Sequence, residues 1–307
     1  MSLPQQMRAL VFDPPHGLRM AEGAVPRPGP GQALIAVEYA ALNWVEVARM
    51  DVVHRPGDIV GRDSAGIVVC AAKDGSGPGV GERVAGFRPA SAWAEFQAVD
   101  TADIAVVPAE VDLASAAALP GAAVSALQAV RRLGSTLGRR VLVTGASGGV
   151  GRAAVQLAAL AGAEVVAAVG AAGRGLGLTE LGASEVVTTL DNLSPVYAVL
   201  DVVGGDTLTA AYELVEPDGV ALSIGSTAGQ VVSFDFEAAR RRGGRQPISA
   251  FAVSGPFGPD LAYLLDLVAA NRFDPQIGWH GSWHDAGTAI TALLNREVRG
   301  KAVLHLD

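Results

Sequence analysis

The stretch "RVLVTGASGGVGRAAVQLA", Arg140 to Ala158, decides the fold. Arg140–Thr144 is a short, apolar, β-branched run. Residues 145–151 are small apart from Val150, and an alanine-rich helical pattern follows from Arg152. Strand, glycine turn and helix in that order form a ligand-binding elbow. Two chemistries compete for it. The turn can cradle a phosphate, or Gly145-Ala146-Ser147-Gly148-Gly149 can be the G-x-S-x-G that aims a serine hydrolase nucleophile.

The spacing favours the cradle. Gly145, Gly148 and Gly151 fall three apart, so the backbone can turn tightly and approach a pyrophosphate without interference from Cβ atoms. N–H groups from Val150 onward then meet the anion along the helix dipole, and Ala153 and Ala154 let the helix pack closely on the strand. A hydrolase would draw its histidine from His280, His284 or His305, but no H-G-G-G-like oxyanion stretch precedes Ser147, and the small residues run on past the elbow. A Walker A loop is excluded, because Arg152 and Ala153 stand where its Lys and Ser/Thr would be. The hydrolase is kept as an alternative, as is a protein that binds a dinucleotide without turning it over.

The next strand selects the dinucleotide. An NAD site usually ends this strand with an acid that accepts from the ribose 2′-hydroxyl. Here "EVVAAVGAAGRG" (164–175) passes Gly170 with no acid before Glu180, and Arg174 lies in the loop. An acid would repel a 2′-phosphate, whereas an arginine can pair with it, so this loop predicts NADPH.

Around this elbow the chain from 121 to 269 alternates apolar strands with helical patterns, which predicts a doubly wound parallel sheet. Helices are expected over "RGLGLTELGA" (174–183) and "DTLTAAYELVEPDG" (206–219). Between Leu190 and Leu200, interrupted by Pro195, only a loop or single turn fits. The first 120 residues read differently. "QALIAVEYAAL" (32–42), "AGIVVCAA" (65–72) and "AWAEFQAV" (92–99) are short strands between glycine-rich turns, the texture of a barrel-like β module. From about 270 the texture is mixed again: a loop with Trp279 and Trp283, a helix over 285–296 and a last strand from Lys301.

Composition sets the outer bounds. Half of the 307 residues are hydrophobic, 18% are charged, and the net charge is −8, which argues against a nucleic-acid partner. Arg240-Arg241-Arg242, the single basic run, reads as a solvated end. One cysteine, Cys70, leaves no internal disulfide and suits a reducing cytoplasm. Leu113–Val130 is uncharged but alanine- and serine-rich and broken by Pro120-Gly121, so no membrane span is expected, and the N-terminus lacks a signal-length apolar run.

These residues resemble a known family. "LVTGASGGVGRAAVQLAALAGAEVVA" is similar to the cofactor segment of the zinc-independent quinone oxidoreductase and enoyl reductase branch of the medium-chain dehydrogenase/reductases. "PGPGQALIAVEYAALNWVEVAR", "GRDSAGIVV", "VGERVAGF", "LPGAAVSALQAV", "LDVVGG", "SIGS" and "GKAVL" extend the resemblance over nearly the whole chain. It implies an α/β protein with a GroES-like β-barrel domain (1–120 and 270–307) and a Rossmann domain (121–269), pairing as a homodimer. It implies hydride transfer to a hydrophobic or aromatic acceptor that is already activated: a quinone, an enone or an enoyl C=C.

By the same resemblance Asn43 reaches the nicotinamide and substrate pocket, and Ser125 stands near the nicotinamide. Val202 stands on a nicotinamide-side strand, Gly225, Ser226 and the backbone around Phe251 and Ala252 line the carboxamide, and Lys301 is a candidate for the cofactor's phosphate side. Gly145, Ala146, Ser147, Gly148, Gly149, Val150 and Gly151 wrap the pyrophosphate, with Gly170 and Arg174 at the ribose. Trp44 is a candidate to stack on a flat substrate, and His54 is the titratable group near Asn43; no tyrosine is present there to donate a proton. No metal is expected, because Gly61-Arg62-Asp63 replaces the G-H-E of zinc-containing relatives and the early Cys is missing. A His280-x3-His284 pair beside Asp285 reads as a pocket rim.

Overall fold

A computed structural model describes residues 3–14, 17–241, 243 and 246–307; Arg242 of the basic run lies outside them. The chain begins with β1 (Gln6–Asp13), β2 (Gly17–Ala24), β3 (Gln32–Leu42), α1 (Trp44–Ala48), α2 (Met50–Val53), β4 (Asp63–Cys70), β5 (Arg83–Phe87), β6 (Phe96–Asp100), β7 (Ile104–Val106) and α3 (Leu113–Ala117). It continues through α4 (Ala122–Arg132), β8 (Arg140–Thr144), α5 (Gly149–Leu160), β9 (Glu164–Ala168), β10 (Ala183–Val187), β11 (Val196–Asp201), α6 (Gly205–Glu213), β12 (Val215–Ser223), α7 (Phe236–Arg241) and β13 (Ile248–Ala250). It ends with α8 (Gly258–Ala269), β14 (Ile277–Ser282), α9 (Ala286–Leu294) and β15 (Lys301–His305). Two compact units result, Met1–Val124 with Ser254–Asp307, and Ser125–Val253. The chain thus returns to the first unit at 254 and not near 270, because α8 packs on β5 and β7.

The first unit is the GroES-like β domain. Its main sheet runs β14-β15-β3-β4-β5-β7, with β6 also pairing to β3, and β1-β2 form a separate hairpin. β3 organises it. Its eleven residues coincide with the apolar run 32–42 and pair antiparallel with β4, β6 and β15. Because β4 and β15 run opposite to β3, their first residues arrive at its last: Asp63 pairs with Ala41, and Ala302 pairs with Leu42. The core contains Ile35, Leu42, Trp93, Trp283 and Leu304. The expected strand over 92–99 starts only at Phe96, because Trp93 is wholly buried and donates its indole N–H to the Ala41 carbonyl. The loop expected around the second tryptophan pair is also corrected. Trp279 lies in β14, and Trp283 is wholly buried in a 3-10 turn over Trp283–Asp285.

The second unit is the Rossmann domain. Its six parallel strands run β10-β9-β8-β11-β12-β13. The central strands are apolar throughout: Val141–Val143, Val165–Ala167 and Ala198–Leu200 are fully buried, as a sheet covered on both faces requires. The link from β10 to β11 is a loop. Two helices deviate from expectation. Over 174–183 only a 3-10 turn forms, Ala172–Gly175, because the backbone at Gly177 and Gly182 has φ of +80° and +103°, outside any right-handed helix. α6 stops at Glu213, and Val215-Glu216-Pro217-Asp218-Gly219 opens β12 instead. Leu113–Val130 forms α3 and α4, and among the described residues no helix is long and apolar enough to cross a membrane.

Candidate functional site

Two groups of residues carry chemistry, one in each unit. In the Rossmann unit the order of strands reverses between β8 and β11, and every strand points the same way. The carboxyl ends of β8, β9, β11, β12 and β13 therefore share one sheet edge, the edge at which such folds place ligands. Gly145–Gly151, Gly170 with Arg174, Val202, Gly225 with Ser226, and Phe251 with Ala252 all follow directly on those strand ends. Ser125 is elsewhere in the unit, buried in α4.

The three spaced glycines have three different causes. Gly145 has φ +59°, a left-handed conformation that turns the chain off β8. Gly148 is the N-cap of α5 with ordinary extended φ, and a Cβ there would touch only Gly145 O at 3.6 Å. Gly151 is required by close approach: a Cβ would lie 2.3 Å from Gly145 O and 2.6 Å from Ala146 Cα. The first turn of α5 thus rests on bare backbone, and its first N–H groups have no partner within the helix. Ser147 is buried and is not among the residues with positive φ, so it is no exposed, strained nucleophile. Gly225 also meets backbone, since its Cβ would lie 2.7 Å from Val202 O.

Asp201 fastens this edge, a role invisible in the sequence. Its buried carboxylate accepts from Thr144 Oγ1 at 2.5 Å, Gly204 N at 2.8 Å and Val203 N at 3.4 Å. Burial pushes this carboxyl upward, and the three donors oppose the shift. The ends of β8 and β11 are thereby tied together beside the glycine turn. Beyond β9, Arg174 is half-buried, and its Nη1 would lie 3.9 Å from a Cβ on Gly170, so the guanidinium folds back toward the strand end.

The β domain holds a buried polar cluster where β3, β4 and β15 meet. Lys301, expected beside a phosphate, is 4% exposed. Its ammonium donates to Leu42 O at 2.8 Å, Asn43 Oδ1 at 2.8 Å and Asp63 Oδ2 at 3.0 Å. Lysine has three N–H donors, and all three are used. Asn43 precedes α1; its Nδ2 donates to Glu46 Oε1 at 3.0 Å, and its backbone N–H reaches Glu46 Oε2 at 3.4 Å. Arg62 Nε lies 3.6 Å from the same Glu46 Oε1. Glu46 is wholly buried, and its pKa is pushed up to about 7, by burial first and by the Asp63 charge second, against Asn43, Lys301 and Arg62. Trp44, the first residue of α1, is half-buried. His54 caps α2; it is buried, and burial lowers its pKa, so it is neutral at pH 7.

This donor set does not fit zinc. Arg62 and Lys301 place two cations on the two carboxyls, and neither Cys nor His joins them. Among the described residues no three of His, Cys, Asp and Glu come together to hold a metal. His280 is exposed on β14 against the Tyr39 ring, and His284 is exposed beside the buried Trp283.

Residues 181–304 match the family described as zinc-binding dehydrogenase. Over 308 residues the chain is 29% identical to the phthioceranic/hydroxyphthioceranic acid synthase of Mycobacterium tuberculosis, covering 91% of this chain but only 14% of that protein. It is 27% identical over 313 residues to quinone oxidoreductase-like protein 2 of Bos taurus, covering 93% of this chain and 88% of the relative. The quinone oxidoreductase structure from Coxiella burnetii superposes with a TM-score of 0.86 at 28% identity, over 98% of this chain and 100% of that one. Over nearly its whole length the chain is thus similar in sequence and in fold to quinone oxidoreductases.

Proposed function

We propose that the protein is an NADPH-dependent reductase of activated acceptors: quinones, enones or enoyl C=C bonds. The observation that carries the cofactor choice is the loop after β9, which holds no acid and turns Arg174 back toward Gly170. The glycine turn and the start of α5 would hold the pyrophosphate, Arg174 the 2′-phosphate, and the backbone at Gly225, Ser226, Phe251 and Ala252 the carboxamide. Bound NADPH supplies a hydride from its nicotinamide.

The chain's own contribution lies at Asn43. Adding hydride to the β-carbon of an enone moves negative charge onto its oxygen, and that oxygen needs a preorganised donor. Asn43 Nδ2 commits one N–H to Glu46 and keeps the second for this purpose. Without a fitting metal set, polarisation falls to such donors, which suits acceptors activated in advance and not simple ketones. The proton that completes the reduction comes from solvent. His54 is a poor acid because it is already neutral at pH 7, Lys301 is saturated with acceptors, and Glu46 is sealed from water.

The test is NADPH consumption across quinones, 2-alkenals, cyclic enones and enoyl thioesters. At least one of these classes should oxidise NADPH well above the acceptor-free rate. Tight NADPH binding with no acceptor reduced would overturn the reductase reading in favour of a cofactor-binding protein without turnover.

A further inference from the structure

We propose that Lys301 and Glu46 are positioning residues for Asn43: ammonium and carboxyl grip opposite ends of its amide and present the remaining N–H in one orientation. This deepens the reductase reading and rests on it for the identity of the group that receives the N–H.

The geometry leaves the amide one arrangement. Its oxygen faces the Lys301 ammonium at 2.8 Å, and its nitrogen faces Glu46 Oε1 at 3.0 Å. Flipped, the amide would set N–H groups against an ammonium and an oxygen against a carboxyl, losing two charge-assisted hydrogen bonds. A third surface closes the site. A Cβ on Gly121 would lie 2.9 Å from Asn43 Oδ1 and 3.0 Å from Asn43 Nδ2, so the glycine backbone lies against the amide. Lys301 is itself pinned by Leu42 O and by Asp63 Oδ2, both fixed by the pairing of β3 with its neighbours. The grip comes from the sheet. Lys301 and Asn43 are 258 residues apart in sequence, yet β15 starts where β3 ends.

This assignment conflicts with the place on the cofactor's phosphate side that the family resemblance gives Lys301. A phosphate role needs an available N–H, and the ammonium has none left. The two roles predict opposite kinetics. Loss of a phosphate contact weakens NADPH binding and leaves kcat in place. Loss of a positioning group leaves NADPH binding in place and lowers kcat, by on the order of a hundredfold if the donor shifts by about an ångström.

The experiment uses the full chain with 15N-labelled asparagine. The Asn43 side-chain signal is assigned by its loss in N43A, and NADPH affinity and kcat are measured for K301M, K301M/D63N, E46A and E46Q. The double variant removes the ammonium without stranding the Asp63 charge, so it guards against misfolding. In wild type the two Asn43 amide protons should be widely separated, one of them slow to exchange. In K301M, K301M/D63N and E46A they should converge toward free-amide values, with the NADPH Kd within twofold of wild type and kcat reduced. E46Q, whose carbonyl still accepts from Asn43, should restore the separated pair. An unchanged Asn43 signal in K301M/D63N overturns the proposal, as does a tenfold rise in NADPH Kd with kcat intact. If wild type reduces no acceptor, the reductase reading falls, and the amide signals still decide the positioning role by themselves.

Discussion

Gly151→Ala probes the dinucleotide turn most directly. The added methyl would sit 2.3 Å from Gly145 O, 2.6 Å from Ala146 Cα and 2.9 Å from Ala146 C. Ordinary contacts between such atoms begin near about 3.5 Å, so the overlap exceeds an ångström. All three atoms are backbone, and no rotamer change relieves them. Either α5 lifts off the turn or its first turn unwinds. Lifting it disturbs Ala153, Ala154, Val155, Leu157 and Ala158, all buried beneath the helix. Overpacking of this kind costs about 1–3 kcal/mol, which at roughly 2–4 °C per kcal/mol lowers the melting temperature by roughly 2–12 °C.

Gly148→Ala is the matched control, because its methyl meets only Gly145 O at 3.6 Å and its φ of −83° suits any residue. The N-cap preference for glycine over alanine is worth up to about 1 kcal/mol. Thermal melts of both variants, followed by calorimetric titration with NADPH, should show G151A melting lower and binding at least tenfold more weakly, on the order of 1.4 kcal/mol. G148A should melt within about 4 °C of wild type and bind NADPH nearly as well as wild type. Equal melting of G151A and wild type, or equal damage in both variants, would refute the close-approach argument.

Two further outcomes follow from the site. Arg174→Ala should weaken NADPH binding by about tenfold or more and leave NADH nearly unchanged, since a paired phosphate is worth about 1.5–3 kcal/mol; equal NADPH and NADH affinities in wild type would defeat the 2′-phosphate reading. Glu46 carries the pH prediction. Its folded pKa of about 7 lies above the ordinary value of 4.5, so stability is fully present below about 4.5 and is lost as pH rises through about 7, by on the order of 3 kcal/mol. Urea unfolding at pH 5 and pH 8 should show E46Q losing less stability than wild type across that interval, and parallel losses would contradict a buried, titrating Glu46.

Much of the architecture was legible because it is local. The run 32–42 is β3, the elbow at 140–158 is a strand, turn and helix, and the short link after β10 leaves no room for a helix. Alternation misled where glycines override it: 174–183 lies between two parallel strands, where a crossover helix is expected, but Gly177 and Gly182 take backbone angles no right-handed helix allows. The equal spacing of Gly145, Gly148 and Gly151 likewise hid three unequal roles. Whether a glycine is needed depends on which atoms lie opposite it, and those are placed by packing.

The sequence by itself determined the βαβ order, the dinucleotide elbow at β8, the missing acid after β9 and the presence of Asn43 at the end of a strand. Each of these is a property of neighbouring residues. Only the tertiary structure decided that Lys301 serves Asn43 and Asp63 and is not solvated, that Glu46 is buried between them, and that Asp201 ties β8 to β11. Those pairings span 57 to 258 residues. They exist because β-sheet register brings distant strand ends into hydrogen-bonding distance, and that register is fixed between strands far apart in sequence by the faces they bury together in the assembled sheet.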